Sequence, residues 1–566
     1  MKSLWLLVFA GALVLGSDTG EKRDLPYYRD IASSAGMIRA TRFGSLPKRF
    51  LTETTGSGAG FIDYDGDGNL DVYVVNGKSR EQAEAGMPGE PDLLYRNLSG
   101  RRFVEVARLA GVAETEWGGG VAAGDYDNDG DPDLLVTNFG PNVFYRNNGD
   151  GTFTDVTERA GLADRRWSTS AAFGDINGDG FLDLYVCHYL DWNPRHLESI
   201  APDFCRWRGI PVVCGPRGLP GDADRLYLNR GDGTFADITE RAGVYNPEGK
   251  GLGVAFLDFD GDRDQDIFVS NDSTPNFLYQ NDGRGQFKDV ALGAGVAFSM
   301  YGKPQAGMGT DSGDFDEDGK PDLIVTNFQK DYNALRRNLG TGLFVDVSNM
   351  VGLALSTWDK LGWGVKFFDC NNDGFLDLFT ANGHIYAEVD SAGIGETYAQ
   401  LNQLALNVPA TFGRRFEDLS ARAGPGLRIE KSSRGLAIGD YDNDGDLDIF
   451  INEMNDVPTF VEDQARHTNG SVRLTLIGRA ANRDGMGARV EYTVGGKRHS
   501  RYGGALGSYL STSDPRLHLG LGSAALAESI VIYWPPMAGR EPTITRLGPV
   551  YAGEDVVVVE GIGRVR

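Results

Sequence analysis

The chain has 566 residues, of which 41% are apolar and 24% charged, a balance that excludes wholesale disorder and can bury a sizeable core. Glycine supplies 78 residues without a Gly-X-Y period, so a collagen-like chain is excluded. Against 55 Lys and Arg stand 80 Asp and Glu, a net charge of −25. That is the wrong sign for a nucleic-acid binder, which needs clustered cations, and it raises the question of what neutralises the acid.

At the N-terminus Lys2 precedes an apolar run from Leu4 to Leu15, closed by Gly16 and Ser17. The run is shorter than the ~20 residues of a membrane-spanning helix. Its charge, short core and small-residue end predict a secretory signal peptide over residues 1–16, hence a secreted, extracellular or periplasmic protein. No later stretch is apolar enough to span a membrane. An exported chain can oxidise its cysteines. Cys205 and Cys214, close together in one Trp- and Pro-containing loop, are the expected disulfide, with Cys187 and Cys370 left as thiols.

An acidic nonapeptide then recurs seven times, beginning at Asp63, Asp125, Asp175, Asp258, Asp314, Asp369 and Asp440. Positions 1, 3, 5 and 9 carry oxygen ligands. Loop one offers Asp63, Asp65, Asp67 and Asp71, and loop two Asp125, Asp127, Asp129 and Asp133. Loop three offers Asp175, Asn177, Asp179 and Asp183, and loop four Asp258, Asp260, Asp262 and Asp266. Loop five offers Asp314, Asp316, Asp318 and Asp322, and loop six Asp369, Asn371, Asp373 and Asp377. Loop seven offers Asp440, Asp442, Asp444 and Asp448. Hard cations such as Ca²⁺ take 6–8 oxygens, and glycine at position 6 permits the sharp turn between them. Carboxylates this close repel unless a cation lies among them. Up to seven Ca²⁺ are expected, and +14 from them would move the net charge from −25 to −11. Loop four has Arg263 where the others have glycine, so it is the site expected to be weak or reshaped. No Glu stands at position 12 and the flanks read as strands, which separates these loops from EF-hands.

Each loop is framed by the same pattern. A small-residue run precedes it, as in WGGGVAAG from Trp117, and a short apolar run follows, as in Leu134–Val136. Then comes a Leu/Phe-Tyr-x-Asn segment, as in FYRN ending at Asn147, and a Gly-rich turn leading to FTDVTERAGL. These are four short strands separated by turn residues. Seven such sheets, unable to bury both faces alone, predict a seven-bladed β-propeller over residues 24–465. The fourth-strand pattern is missing after loop seven but occurs once before loop one, at Tyr28–Met37, so the N-terminal strand is expected to close the last blade. Residues 466–566 carry further strand-length runs and no acidic nonapeptide, and predict a small β-sandwich or barrel.

The loops and flanks resemble the FG-GAP/VCBS repeats of integrin-α-type propellers over residues 28–460. The tail, with ANRDGMGARVEYTVGGKRHSRY from Ala481 and GSYLSTSDPRLHLGLG ending at Gly522, resembles the ASPIC/UnbV domain. Together they resemble the cartilage acidic protein family, which implies a secreted calcium-binding protein.

A partner is expected on the propeller face opposite the acidic loops, where long connections occur at Asn76–Pro91, Cys187–Ala223 and Asn382–Gln403. His188, Tyr189, Trp192, Arg206, Trp207, His384 and Tyr386 are the candidate ligand-binding residues. They suit a protein or glycan, and the competing expectation is a loop that folds back and buries its own aromatics over the channel. A metal site on His188 and His384 is a further option, since nothing in the sequence fixes their distance. No catalytic motif of the nucleophile-elbow, zincin or Walker type occurs. An extracellular binding, adhesion or scaffold module is the leading reading, and a calcium-dependent polysaccharide-acting enzyme on the same scaffold the alternative.

Overall fold

A computed structural model describes residues 24–191, 205–504 and 507–566. The expected signal peptide, Trp192 and His196 lie outside the described residues.

Seven four-stranded antiparallel sheets form the ring. Blade two shows the plan. Gly118–Gly124, Asp133–Asn138, Val143–Asn147 and Phe153–Asp155 pair in chain order. A short helical turn, Thr157–Ala160, follows and ends at Gly161, whose φ of 77° is the left-handed value glycine tolerates. Blade seven takes Ser433–Gly439, Asp448–Glu453 and Thr459–Asp463 from the end of the ring. Its fourth strand is Tyr28–Asp30, in the register Tyr28 to Asp463 and Asp30 to Val461. The N-terminal segment therefore closes the ring as expected. Apolar clusters fill the spaces between adjacent blades. One runs from Ile31, Met37 and Phe61 to Phe450 and Phe460 across the closure.

The tail is a sandwich of two sheets. One orders Leu517–Gly522, Gly470–Ile477, Asp555–Val559 and Gly563–Arg564, and the other Lys497–Tyr502, Arg489–Val494, Ser529–Tyr533 and Ile544–Leu547. Alternate residues such as Val472, Leu474, Val490, Tyr492, Ile530, Ile532, Val556 and Val558 meet between them, as period-two strands dictate.

No local pattern announces how the tail joins the ring. Between its strands the chain leaves the sandwich, and residues 507–514 run into the centre of the propeller. Thr512 and Ser508 form bridges with Gly60 of blade one and Thr310 of blade five. The Leu510 carbonyl accepts from Val121 N at 3.0 Å, and Leu510 N donates to Ser170 Oγ at 3.0 Å. Ser511 Oγ accepts from Ala59 N and from Leu436 N, both at 3.1 Å. This plug explains glycines on the innermost strands. A Cβ on Gly58 would lie 1.5 Å from the Leu510 carbonyl oxygen, and one on Gly120 3.0 Å from Leu510 Cα.

Candidate metal loops and the opposite cavity

In every acidic loop the position-1 carboxylate accepts the position-6 N–H. The distances run from 2.7 Å (Gly374 to Asp369) to 3.2 Å (Gly445 to Asp440). The position-9 aspartate opens the second strand and is buried. In loops one to six one of its oxygens accepts from the position-2 N–H, for example Tyr126 to Asp133 at 3.1 Å. The other accepts from the N–H of the asparagine ending the third strand, for example Asn147 to Asp133 at 2.8 Å. Backbone geometry thus holds positions 1 and 9 in place.

In loops one, two, five and seven, positions 1, 3 and 9 converge, with ligand atoms within 4.8 Å of one another: Asp63, Asp65 and Asp71, then Asp125, Asp127 and Asp133, then Asp314, Asp316 and Asp322, then Asp440, Asp442 and Asp448. Position 5 lies outside these sets, and one of its oxygens accepts the position-7 N–H, as in Asp131 to Asp129 at 3.0 Å. Loop four differs. Asp258, Asp260 and Asp262 converge without Asp266, and Arg263 takes the left-handed φ of 78°. In loops three and six the amides of Asn177 and Asn371 donate to Asp179 and Asp373.

Buried oxygens in these groups, Asp63 Oδ1, Asp127 Oδ1, Asp316 Oδ1 and Asp442 Oδ1, have no donor. Burial and neighbouring carboxylates push Asp71 up to about 8 and Asp133 and Asp266 to about 9. Converging buried oxygens without donors fit a hard cation, with positions 1, 3 and 9 as the residues that would hold it.

Two further roles were missed from sequence. The residue before the third-strand asparagine is Arg96, Arg146 or Arg337 in loops one, two and five. Arg96 lies 2.7 Å from Asp65 and Arg337 2.6 Å from Asp316. In loops three and six, where position 3 is already neutral, it is Leu228 or Leu406. This pairing within the repeat was the available signal. The asparagine itself latches adjacent blades: Asn147 Nδ2 donates to Pro132 O of its own blade and to Tyr64 O of the preceding one, at 3.2 and 2.9 Å. Asn97, Asn229, Asn281, Asn338 and Asn407 do the same around the ring.

The tail docks on this loop face. Arg483 N donates to Asn128 Oδ1 at 2.9 Å, Ala538 N to Gly178 O at 2.8 Å and Gly522 N to Asn372 O at 2.7 Å. Arg501 pairs with Glu317 at 3.3 Å and Arg473 with Asp440 at 3.0 Å.

On the opposite face the long connections enclose a cavity of about 840 Å³. Its roof is the hairpin Arg206–Trp207 and Ile210–Pro211, closed by a disulfide between Cys205 and Cys214. Glu396, from the blade-six connection, pins that hairpin through Trp207 Nε1 at 2.7 Å and Arg208 at 2.8 Å. Trp207 meets Phe328 at 5.2 Å and Tyr386 at 6.3 Å. Tyr189 and Trp363 also line the cavity, and the plug residue Tyr509 packs on Trp363 at 4.9 Å.

Of the expected ligand-binding residues, Tyr189, Arg206, Trp207 and Tyr386 line this cavity. The histidines do not. His188 is fully buried inside blade three, its Nε2 3.2 Å from Asp164 and its Nδ1 3.0 Å from Ala223 O. His384 is buried behind Tyr386 and accepts its N–H at 3.0 Å, and burial pushes its pKa down to about 4. Neither joins a metal-ligating group among the described residues. The blade-three loop does fold back over the channel mouth, yet it leaves the cavity beneath it. Cys187 and Cys370 are free and buried in separate blades.

The repeat family described as FG-GAP-like repeat matches residues 63–136, 125–186, 212–269, 258–325 and 314–380, and the family described as ASPIC and UnbV matches residues 478–563. Cartilage acidic protein 1 of Homo sapiens is 28% identical over 323 residues, covering 56% of this chain and 45% of that protein. The Xenopus tropicalis protein of that name is 29% identical over 338 residues, covering 57% and 47%. The chain thus spans less than half the length of the curated relatives it matches. A solved lectin structure from Agrocybe aegerita, described as recognising non-reducing terminal N-acetylglucosamine, aligns with a TM-score of 0.37 and 16% identity, over 66% of this chain and 82% of that one. No helix among the described residues is long and apolar enough to cross a membrane.

Proposed function

We propose, from the premise that this chain belongs to the family of FG-GAP-like repeat proteins ending in an ASPIC and UnbV domain, that it is an extracellular binding module. Its propeller is held by calcium in the acidic loops, and it engages a glycan or protein through the cavity on the opposite face. The observation that carries this reading is the division of labour between the two faces. The tail docks on loops two, three, five, six and seven, which ties that face to stability. The cavity is walled by aromatic rings on long connections, the composition of recognition surfaces. The N-terminal charge and short apolar run of a signal peptide support an extracellular setting.

The test is capture by the calcium-loaded full chain on glycan and protein arrays, repeated with Trp207→Ala. Binding that survives this substitution unchanged would place recognition elsewhere and defeat the reading.

A further inference from the structure

Three features of the cavity specify its occupant more narrowly, on the premise that the cavity is the binding site.

The first is charge. The chain carries −25 overall, yet the cavity is lined by Arg206, Arg217 and Lys330 against Asp272 and Asp331. Both acids are committed within the protein. Asp272 accepts from the Tyr189 hydroxyl at 2.6 Å and from Ser273 Oγ at 2.9 Å, and it is faced by Lys250 and Arg217. Asp331 accepts from Gln305 Nε2 at 2.9 Å and from Tyr332 N. Lys330 is paired with Asp359. Among the described residues neither Arg206 nor Arg217 forms a salt bridge; Arg206 donates to Gly209 O at 3.0 Å, Arg217 faces Asp272 at longer range, and both side chains are exposed. A positive mouth on an acidic protein gathers anions.

The second is a buried acceptor without a donor. Gln329 lines the cavity and is only 4% exposed. Its Nε2 donates to Asp359 O at 3.1 Å, while its Oε1 has no partner. A buried acceptor left unsatisfied is unfavourable, and a ligand hydroxyl would satisfy it. The third is the pair of half-buried rings Trp207 and Phe328 in the lining, backed by the buried rings of Tyr386 and Trp363, which suit the apolar face of a sugar.

We infer that the ligand is an acidic oligosaccharide. Its carboxylate or sulfate lies between Arg206 and Arg217, a hydroxyl donates to Gln329, and its sugar rings lie on the aromatic walls. A chain with flat rings, many hydroxyl donors and an anionic group meets all three features at once, whereas a neutral glycan leaves the arginines unanswered.

The experiment is calorimetric titration of the calcium-loaded full chain with three probes. They are a tetrasaccharide of alternating glucuronate and N-acetylglucosamine, the same sugar with its carboxyls reduced to alcohols, and a tetraglutamate peptide. The acidic sugar should bind at least tenfold more tightly than its reduced form and weaken with salt. Arg206→Gln and Arg217→Gln should each weaken its binding at least tenfold, with the melting temperature of each calcium-loaded variant showing that the fold is kept. Equal binding of the reduced sugar, preference for the peptide, or no binding of either sugar overturns the inference. The broader reading of the cavity stands or falls separately, on whether captured partners are lost with Trp207→Ala.

Discussion

His467 Nε2 lies 3.0 Å from Asp463 Oδ2 at the one blade junction whose third strand ends in aspartate instead of asparagine. An aspartate cannot donate to the preceding blade, so the latch seen at the other six junctions is absent here. The seam is strapped by the ends of the ring instead. Tyr27 N donates to Asp463, and Asp24 accepts from Asn469 N, both within 2.9 Å.

This seam should respond to pH. Burial alone would lower the His467 pKa, but Asp463, Asp446 and Asp24 push it up to about 9. A raised histidine contributes stability that is fully present below its unfolded value of ~6.5 and is lost as pH rises through the folded value. The melting temperature should therefore fall between pH 7 and pH 10 more steeply in the parent than in His467→Gln, the two curves converging above pH 9. Parallel curves would show that the imidazolium does not hold the seam.

The proposed calcium has the opposite pH signature from the empty loops. Buried aspartates raised to about 8 or 9, such as Asp71 and Asp133, favour the protonated folded state, so the chelated protein loses stability as pH rises from ~4 towards those values. Calcium needs the ionised carboxylates and stabilises by mass action, about 2.7 kcal/mol per site at a hundredfold excess over Kd. The drop in melting temperature on chelation should thus widen from pH 5 to pH 8. A chelator effect that is nil, or constant with pH, would count against metal in these loops.

Asn147→Ala removes both latch donors and leaves Tyr64 O and Pro132 O buried without them. The cost should be about 2–3 kcal/mol, read from denaturant midpoints. A change below 0.5 kcal/mol (about the size of an ordinary surface substitution) would show that the latches contribute little.

Arg263→Gly sets two effects against each other. Relief of the left-handed backbone is worth about 1–2 kcal/mol. Loss of the guanidinium from near the Tyr533 ring, 6.0 Å away, costs about 0.5–1 kcal/mol. Net stabilisation is expected, as a rise in melting temperature. A fall would mean that the contact with the tail outweighs the strain.

Gly58→Ala should expel the plug, because the added methyl overlaps the Leu510 carbonyl. Limited proteolysis should then cut within residues 507–514, which are held inside the ring of the parent. An unchanged digestion pattern would mean the plug shifts to make room.

Much of the ring was legible because its information is local and repeated. The acidic loops, the strand pattern after each of them and the displaced fourth strand at Tyr28 all lie within short windows, and sevenfold recurrence removes ambiguity. What could not be read depends on partners far away in sequence. The latch asparagine was visible as a motif, but its second acceptor lies in the preceding blade, 83 residues back in the case of Asn147 and Tyr64. His188 is a ligand-binding candidate by sequence because its partner Asp164 lies in the preceding connection and gives no sign of facing it. The small-residue runs of the first strands carry no local sign that at Gly58 and Gly120 the close neighbour is Leu510.

The plug also fixes an order of events. Residues 507–514 are made after all seven blades, so a nascent or translocating chain holds a ring whose lumen is still open. At that stage inward-facing amides such as Ala59 N and Leu436 N, which end up on Ser511, have only water to bind. This late-emerging stretch therefore acts as a keystone. Until it is seated the earlier residues form an arch without its central stone.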